Sequence, residues 1–392
     1  MITPYATELA TVLAGMGVGQ SLLFAVLLWL RRERPANVWL ALCHLAIAQV
    51  MALLLFNNVW KQHLDGRLTA HMMLNLFFIG PLLWGYARAL TGRPLSMCSP
   101  WLWCHLLPGL LLHLGTLAGW ITIDPPPADE SAWSAENYTP GSDASEIPSL
   151  LLVGIHIGSY CLAVWLLLRR HQQTLKTQFS RLGVRSLQWL STLSLALAAA
   201  IALWFGLRWL APMLADLIVA GAYLVLAGVA GLRGLHQPAA MVQPEPEAGP
   251  EANGAKYAKS VLDATQAETI RQALLQLMAR DKPYLEEDLT LSGLAGQLRI
   301  SPHHLSQVLN GAMATNFFDY INRHRVEAVQ RCLVDPAYAE QTVLDIGLAC
   351  GFSAKTTFNT VFKRLTGVTP TAYRQQARAA APPHPDQAGL TG

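Results

Sequence analysis

The sequence predicts an all-α protein: a polytopic transmembrane helix bundle followed by a cytoplasmic double helix-turn-helix domain. Three observations carry this. The 392 residues are 52% hydrophobic and only 14% charged, too apolar for an ordinary water-soluble chain. The long apolar runs all lie before Leu235, and all twelve Trp fall between Trp29 and Trp209. Beyond Leu235, apolar residues recur every three or four positions between capping residues, the pattern of short amphipathic helices. The expected organisation is therefore a seven-helix domain over 1–235, a linker over 236–262, a helical domain with a leading helix over 263–378 and a disordered tail over 379–392.

A helix needs about 20 apolar residues to cross a bilayer. Seven segments meet this, near Thr7–Leu30, Asn37–Trp60, Leu68–Leu90, Trp101–Ile123, Pro148–Leu168, Leu187–Leu207 and Ala211–Leu232. Trp29, Trp39, Trp60, Trp101, Trp120, Trp165 and Trp209 stand near their ends, where an aromatic belt belongs. No Lys or Arg precedes the first segment and three Arg follow it, unlike a cleaved signal peptide. Basic residues are unevenly divided. Arg31, Arg32, Arg34, Arg88, Arg93, Arg169, Arg170, Lys176, Arg181, Arg185 and Arg233 fall on one side, against Lys61, Arg67 and Arg208 on the other. The positive-inside rule then puts the N-terminus outside and the C-terminal domain in the cytoplasm of a bacterial inner membrane.

The long outer connection Asp124–Ile147 carries six acids and no base. It admits two readings, a lid over a ligand site or a solvated loop. An ionisable group in hydrocarbon is costly, so Asp216 in the seventh segment is a candidate sensor residue, with His71, Asn75 and His113. Most of the histidines and Asn75, with His44, His105 and His156 among them, are expected to be interhelical hydrogen-bonding or interface residues rather than ligand contacts. Pro81 and Pro108-Gly109 are expected to kink the third and fourth segments. Gly15-x-x-x-Gly19 has the spacing of a close helix contact. Six scattered Cys form no CxxC pair and no disulfide framework.

From Gln237 to Gly254 the chain is rich in Pro, Glu, Ala and Gly, the composition of a mobile linker. Signal from the seventh helix is expected to cross it by tethering. Thr265-x-x-Glu268 reads as a capping box opening a helix with Ile270, Leu274, Leu277 and Met278 on one face. That helix either signals and dimerises or packs on the domain that follows.

Two helix pairs come next. In the first, Thr290 caps a helix burying Leu291, Leu294, Ala295 and Leu298. The chain breaks at Arg299-Ile300, and Ser301-Pro302 opens a second helix burying Leu305, Val308 and Leu309. His303, Ser306, Gln307 and Asn310 then point outward. In the second pair, Thr342-x-x-Asp345 opens a helix burying Val343, Ile346, Ala349 and Cys350, and Gly351 turns the chain. A further helix from Ser353 or Ala354 buries Phe358, Val361, Phe362 and Leu365 and stops at Gly367. Lys355, Thr356, Asn359, Thr360 and Lys363 face outward. Between the pairs, Asn316–Val334 forms a helix of roughly 28 Å stopped by Asp335-Pro336. Two recognition helices held so far apart match successive major-groove segments, which recur about every 34 Å.

Leu294-Ala295, Ser301-Pro302-x-x-Leu305-Ser306, Phe317-Phe318-x-x-Ile321-x-x-x-Arg325, Asp345-Ile346, Gly351-Phe352, Phe358-x-x-x-Phe362-Lys363 and Gly367-x-Thr369-Pro370-x-x-Tyr373-Arg374 together resemble the DNA-binding domain of the AraC/XylS transcription regulators. Three positions depart from that pattern: Arg299 where Gly is frequent, Gly347 for a usual Ala, and Ala354 where a capping Ser or Asp is common. The resemblance implies that His303, Ser306 and Gln307 of the first recognition helix and Lys355, Thr356, Asn359 and Thr360 of the second read bases; Lys363, outward on the same helix, is the candidate for a phosphate contact.

The expected function is a membrane-embedded, one-component regulator. No metal spacing, phosphate loop or nucleophile elbow points to an enzyme, and no cofactor is implied. Its expected partners are double-stranded DNA and the lipid bilayer, with a small-molecule ligand and a homodimer as further candidates. The competing class is a membrane transporter or enzyme with a DNA-binding appendage, whose flux would survive deletion of residues 255–392.

Overall fold

The computed structural model describes residues 3–59, 74–96, 99–118, 146–208, 211–237 and 262–380. Their secondary structure is helical, with one isolated antiparallel bridge between Phe179 and Thr290. The chain divides into two compact units, Met1–His171 with Leu187–Pro244, and Gln172–Ser186 with Glu245–Gly392.

The first unit is built from α1 (Thr3–Trp29), α2 (Pro35–Val59), α3 (Leu76–Leu90), α4 (Pro100–Leu117), α5 (Glu146–Gln178, which runs on into the second unit), α6 (Gln188–Arg208) and α7 (Pro212–Leu235). α1 packs on α2 and α7, α2 on α3 and α7, and α6 on α7. Five of these helices are long and apolar enough to cross a membrane; α3 and α4 contribute shorter apolar stretches, Leu76–Leu90 and Leu102–Leu117. The start of the third expected segment, at Leu68, lies outside the described residues. α5 in turn continues past its expected end at Leu168, because Leu175 is buried although the run of apolar residues has stopped.

Side-chain placement explains two departures. Trp39, expected at an interface, is only 3% exposed. A Cβ on Gly85 would come within 2.4 Å of its ring, so the missing side chain lets Trp39 fill the space between α2 and α3. Nor does Gly15-x-x-x-Gly19 make a close helix contact in the described chain: a Cβ on Gly15 would meet only Leu55, at 3.9 Å, and one on Gly19 nothing within 4 Å. Pro81 and Pro108 do lie inside α3 and α4. The outer connection as far as residue 145, the linker beyond Gln237, the tail from residue 381 and His71 lie outside the described residues.

The second unit starts with α8 (Ala264–Arg280), and its first cap differs from expectation. Asp263, two residues before Thr265, is the N-cap; its carboxylate accepts from the Gln266 amide at 2.7 Å and the Gln266 side chain returns the bond. Thr265 is already helical, and its carbonyl accepts from the Thr269 hydroxyl. Glu268, freed from capping, forms a two-point pair with Arg271. α8 packs on the first helix pair through Leu274, Leu277 and Met278, the second of the two roles open to it.

That pair is α9 (Leu291–Gln297) and α10 (Pro302–Gln307), the latter prolonged by a π-helical turn over Val308–Ala312. α11 (Phe317–Val334) follows, then α12 (Val343–Ala349), α13 (Lys355–Thr366) and α14 (Pro370–Ala380). Their core gathers Leu294, Leu305, Leu309, Phe317, Ile321, Val329, Ile346, Phe358 and Phe362.

Candidate nucleic-acid interface

Local cap chemistry places both helix pairs. Thr290 accepts from the Gly293 amide at 3.0 Å, Ser301 from His304 at 3.2 Å and Thr342 from Asp345 at 3.1 Å, each satisfying an orphan donor of its helix. Asp345 does not close a reciprocal box, since its carboxylate takes the Thr342 hydroxyl instead. The turns are set by left-handed residues. Arg299 has φ +56°, the conformation that makes Gly frequent at such a position, and Gly351 and Gly367 have φ +91° and +81°. Ala354, not Ser353, stands at the N-cap of α13 and offers no side-chain bond, which fixes the register of that helix.

An arginine fastens the loop entering each pair. Arg325 of α11, 2% exposed, donates to the carbonyls of Tyr284 at 2.7 Å, Glu286 at 2.6 Å and Glu287 at 3.3 Å. Burial lowers its pKa to about 10, while the charges of Glu287 and Asp288 act the other way. Arg374 of α14 likewise donates to the carbonyls of Gln341, Tyr338 and Ala339 at 2.6–2.7 Å. Both arginines belong to the family-like pattern, yet their task follows from geometry: a planar fork of donors collects carbonyls that no helix satisfies.

Of the residues expected to point outward from the first recognition segment, His303 and Asn310 are exposed, whereas Ser306 and Gln307 are half-buried and the Gln307 Oε1 is buried without a hydrogen-bond partner among the described residues. His303, Ser306, Gln307 and Asn310 line one shallow depression, with an Asn310 Nδ2 to Ser306 Oγ hydrogen bond of 3.1 Å. Lys355, Thr356, Asn359, Thr360 and Lys363 are all exposed on α13. An open groove of about 610 Å³ is lined by Asn310 at the end of the first recognition segment and Arg364 at the end of the second. Across it, Arg364 pairs with Asp319 of α11 at 2.7 Å. Burial alone would raise the Asp319 pKa; hydrogen bonds from Arg364 and Asn316 outweigh it and hold the carboxyl below its usual range.

Leu298 and Val343 are only half-buried, and two further expected core positions are exposed. Leu365 is 38% exposed, because the last turn of α13 borders the groove. Ala349 is exposed because α12 buries Ile346, Gly347 and Cys350, leaving it off that face. Gly347 itself is close-packed: a Cβ there would lie 2.9 Å from the Phe358 ring. The departure from Ala therefore accommodates Phe358.

Of the candidate sensor residues, Asn75 and His113 meet, Nε2 to Oδ1 at 3.2 Å, and His113 stacks on Phe78. His105 bonds the Tyr160 hydroxyl at 2.6 Å and His156 the Phe77 carbonyl at 3.0 Å. His44 is fully buried against Phe24. The side chain of Asp216, on α7, lies outside the described residues. Among the described residues, no group of His, Cys, Asp and Glu is arranged to hold a metal.

The arrangement is that of a double helix-turn-helix domain, two helix pairs joined through α11. Residues 294–376 match the family model described as "Helix-turn-helix domain". Over 91 residues, 23% of this chain, the sequence is 34% identical to an uncharacterized HTH-type transcriptional regulator of Staphylococcus aureus (strain COL). It is 31% identical over 94 residues, 24% of this chain, to the uncharacterized HTH-type transcriptional regulator YtdP of Bacillus subtilis. The matched region spans 12% of the length of each relative. No solved structure matches the chain.

Proposed function

We propose that the chain is a membrane-embedded, sequence-specific DNA-binding transcription regulator in which the apolar half senses or anchors and the C-terminal unit reads DNA. The observation that carries this is the pair of exposed recognition segments joined by one rigid helix in a chain whose other half holds five helices able to span a bilayer. α11, at 18 residues, is about 27 Å long, close to the repeat of the major groove. A single chain then engages two groove segments, as simpler helix-turn-helix proteins do by dimerising. His303, Ser306, Gln307 and Asn310 form one reading surface; Lys355, Thr356, Asn359 and Thr360 form the other, with Lys363 on the backbone.

The test is to recover the DNA bound by the full chain across its genome and to fractionate the cells. A short recurring sequence bound by a protein in the inner-membrane fraction is expected. Random DNA recovery, or a wholly soluble chain, would defeat the proposal.

A further inference from the structure

One segment of the C-terminal unit comes from far earlier in the sequence. Gln172–Ser186 comprises the last two turns of α5 and the connection toward α6, yet it belongs to the same compact unit as Glu245–Gly392. Its Leu175 is buried and Leu182 packs on the core of that unit. Phe179 forms the antiparallel bridge to Thr290. Ser180, 1% exposed, uses every polar group it has. Its amide and hydroxyl donate to the Leu289 carbonyl at 3.3 and 2.7 Å, its carbonyl accepts from Asn322 at 3.3 Å, and its hydroxyl accepts from Arg325 at 3.4 Å. Arg181 pairs with Glu287 and Asp288.

These contacts converge on the elements that position both helix pairs. Thr290 is the N-cap of α9, and Arg325 holds the loop that leads into it. The same guanidinium lies 6.0 Å from the Phe352 ring, and its Nε is 3.0 Å from where a Cβ on Gly351 would stand, so it also supports the turn of the second pair. The chain reaches this node along α5, an unbroken helix from Glu146 to Gln178. A helix carries displacement and rotation along its axis, whereas the composition of residues 238–261 suits a tether that sets only proximity.

We infer that Gln172–Ser186 is the coupling element of the protein: docked at the Arg325 node it fixes the two helix pairs, and its withdrawal frees them. The inference rests on the reading of the chain as a membrane-embedded regulator. Withdrawal leaves Asn322 and Arg325 each short of a partner inside the unit. A buried hydrogen bond lost in this way changes a two-state ratio by roughly five- to hundredfold, which suits a switch.

The test uses the full chain, with a reporter driven by the DNA site recovered from its genome and amide hydrogen exchange on the protein in phosphatidylethanolamine–phosphatidylglycerol vesicles. Ser180→Arg places a cation against Arg325. It is expected to speed exchange over residues 284–290 and to move promoter output about fivefold or more at equal protein level. Arg181→Glu should move output the same way by about two- to fivefold, and combining it with Glu287→Arg should restore it. Unchanged output in Ser180→Arg despite faster exchange would overturn the coupling role, and unchanged exchange would overturn the docking. Should Ser180→Arg fail to accumulate, the charge-reversal pair decides, absence of rescue counting against the inference. If the unaltered chain recovers no specific DNA, the functional reading falls and takes this inference with it; if it does recover DNA, a failure here is the coupling element's alone.

Discussion

Arg325 shows how one residue can hold a domain by serving backbone rather than a carboxylate. Its guanidinium meets carbonyls from a loop some forty positions away, and a lysine has neither the plane nor the donors to replace it. Arg325→Lys should cost the C-terminal unit about 2–3 kcal/mol, seen as faster hydrogen exchange over residues 284–290. Its neighbour His324 lies between the rings of Tyr284 and Tyr320, and burial lowers its pKa, with Glu327 opposing and Arg323 and Arg331 assisting. The unfolded chain therefore takes up this proton first. Stability should fall as pH drops below the ordinary histidine value of about 6.5, and rise again as pH returns. His324→Gln should flatten that dependence in a proteolysis-resistance profile taken between pH 5 and 8; an unchanged slope would clear His324 of the effect. At the reading surface, Gln307→Ala or Asn359→Ala should cost about 1–3 kcal/mol at specific sites and relax base preference, because paired hydrogen bonds in the major groove discriminate bases. Lys363→Ala should weaken all sequences alike and reduce the salt dependence. A specificity profile unaltered in both amide variants would remove these two residues from base reading.

At the scale of elements, the turn of the second pair is the most constrained. Gly351 combines φ +91° with a Tyr284 carbonyl oxygen only 2.5 Å from where a Cβ would sit. Gly351→Ala should therefore cost about 2 kcal/mol or more, measured by thermal aggregation or protease resistance of the full chain, and a neutral result would contradict this packing. Such turns and caps were legible in the sequence because their chemistry is local: Thr290, Ser301, Thr342 and Gly367 each act within three or four residues. The same periodicity placed Leu305, Phe358 and Phe362 inside. It failed at Leu365 and Ala349, because a 3.6-residue repeat defines the direction of the core but not where the core ends. It misplaced the cap of α8 because Asp263 and Thr265 both satisfy cap chemistry, and the choice depends on where the helix packs. The partnership of Ser180 with Leu289 and Arg325, across 109 and 145 positions, left no local trace. Arg325 itself was visible only as part of a family-like pattern, without its task.

For the whole molecule, the uneven distribution of basic residues yields a topology that reporter fusions can check. A fusion after Pro140 should report outside and one after Gln243 inside, and an inside signal at Pro140 would reverse the orientation. The discontinuity of the C-terminal unit bears on how the protein comes into being. Gln172–Ser186 leaves the ribosome well before the residues that cover it, and α6 and α7 are made in the interval. The hydrogen-bond partners of Ser180 in α11, Asn322 and Arg325, are made only when synthesis reaches that helix, so the domain closes only when its two separated pieces of chain meet. Transplanting residues 262–380 alone onto another carrier would move a fold that has left one of its own pieces behind.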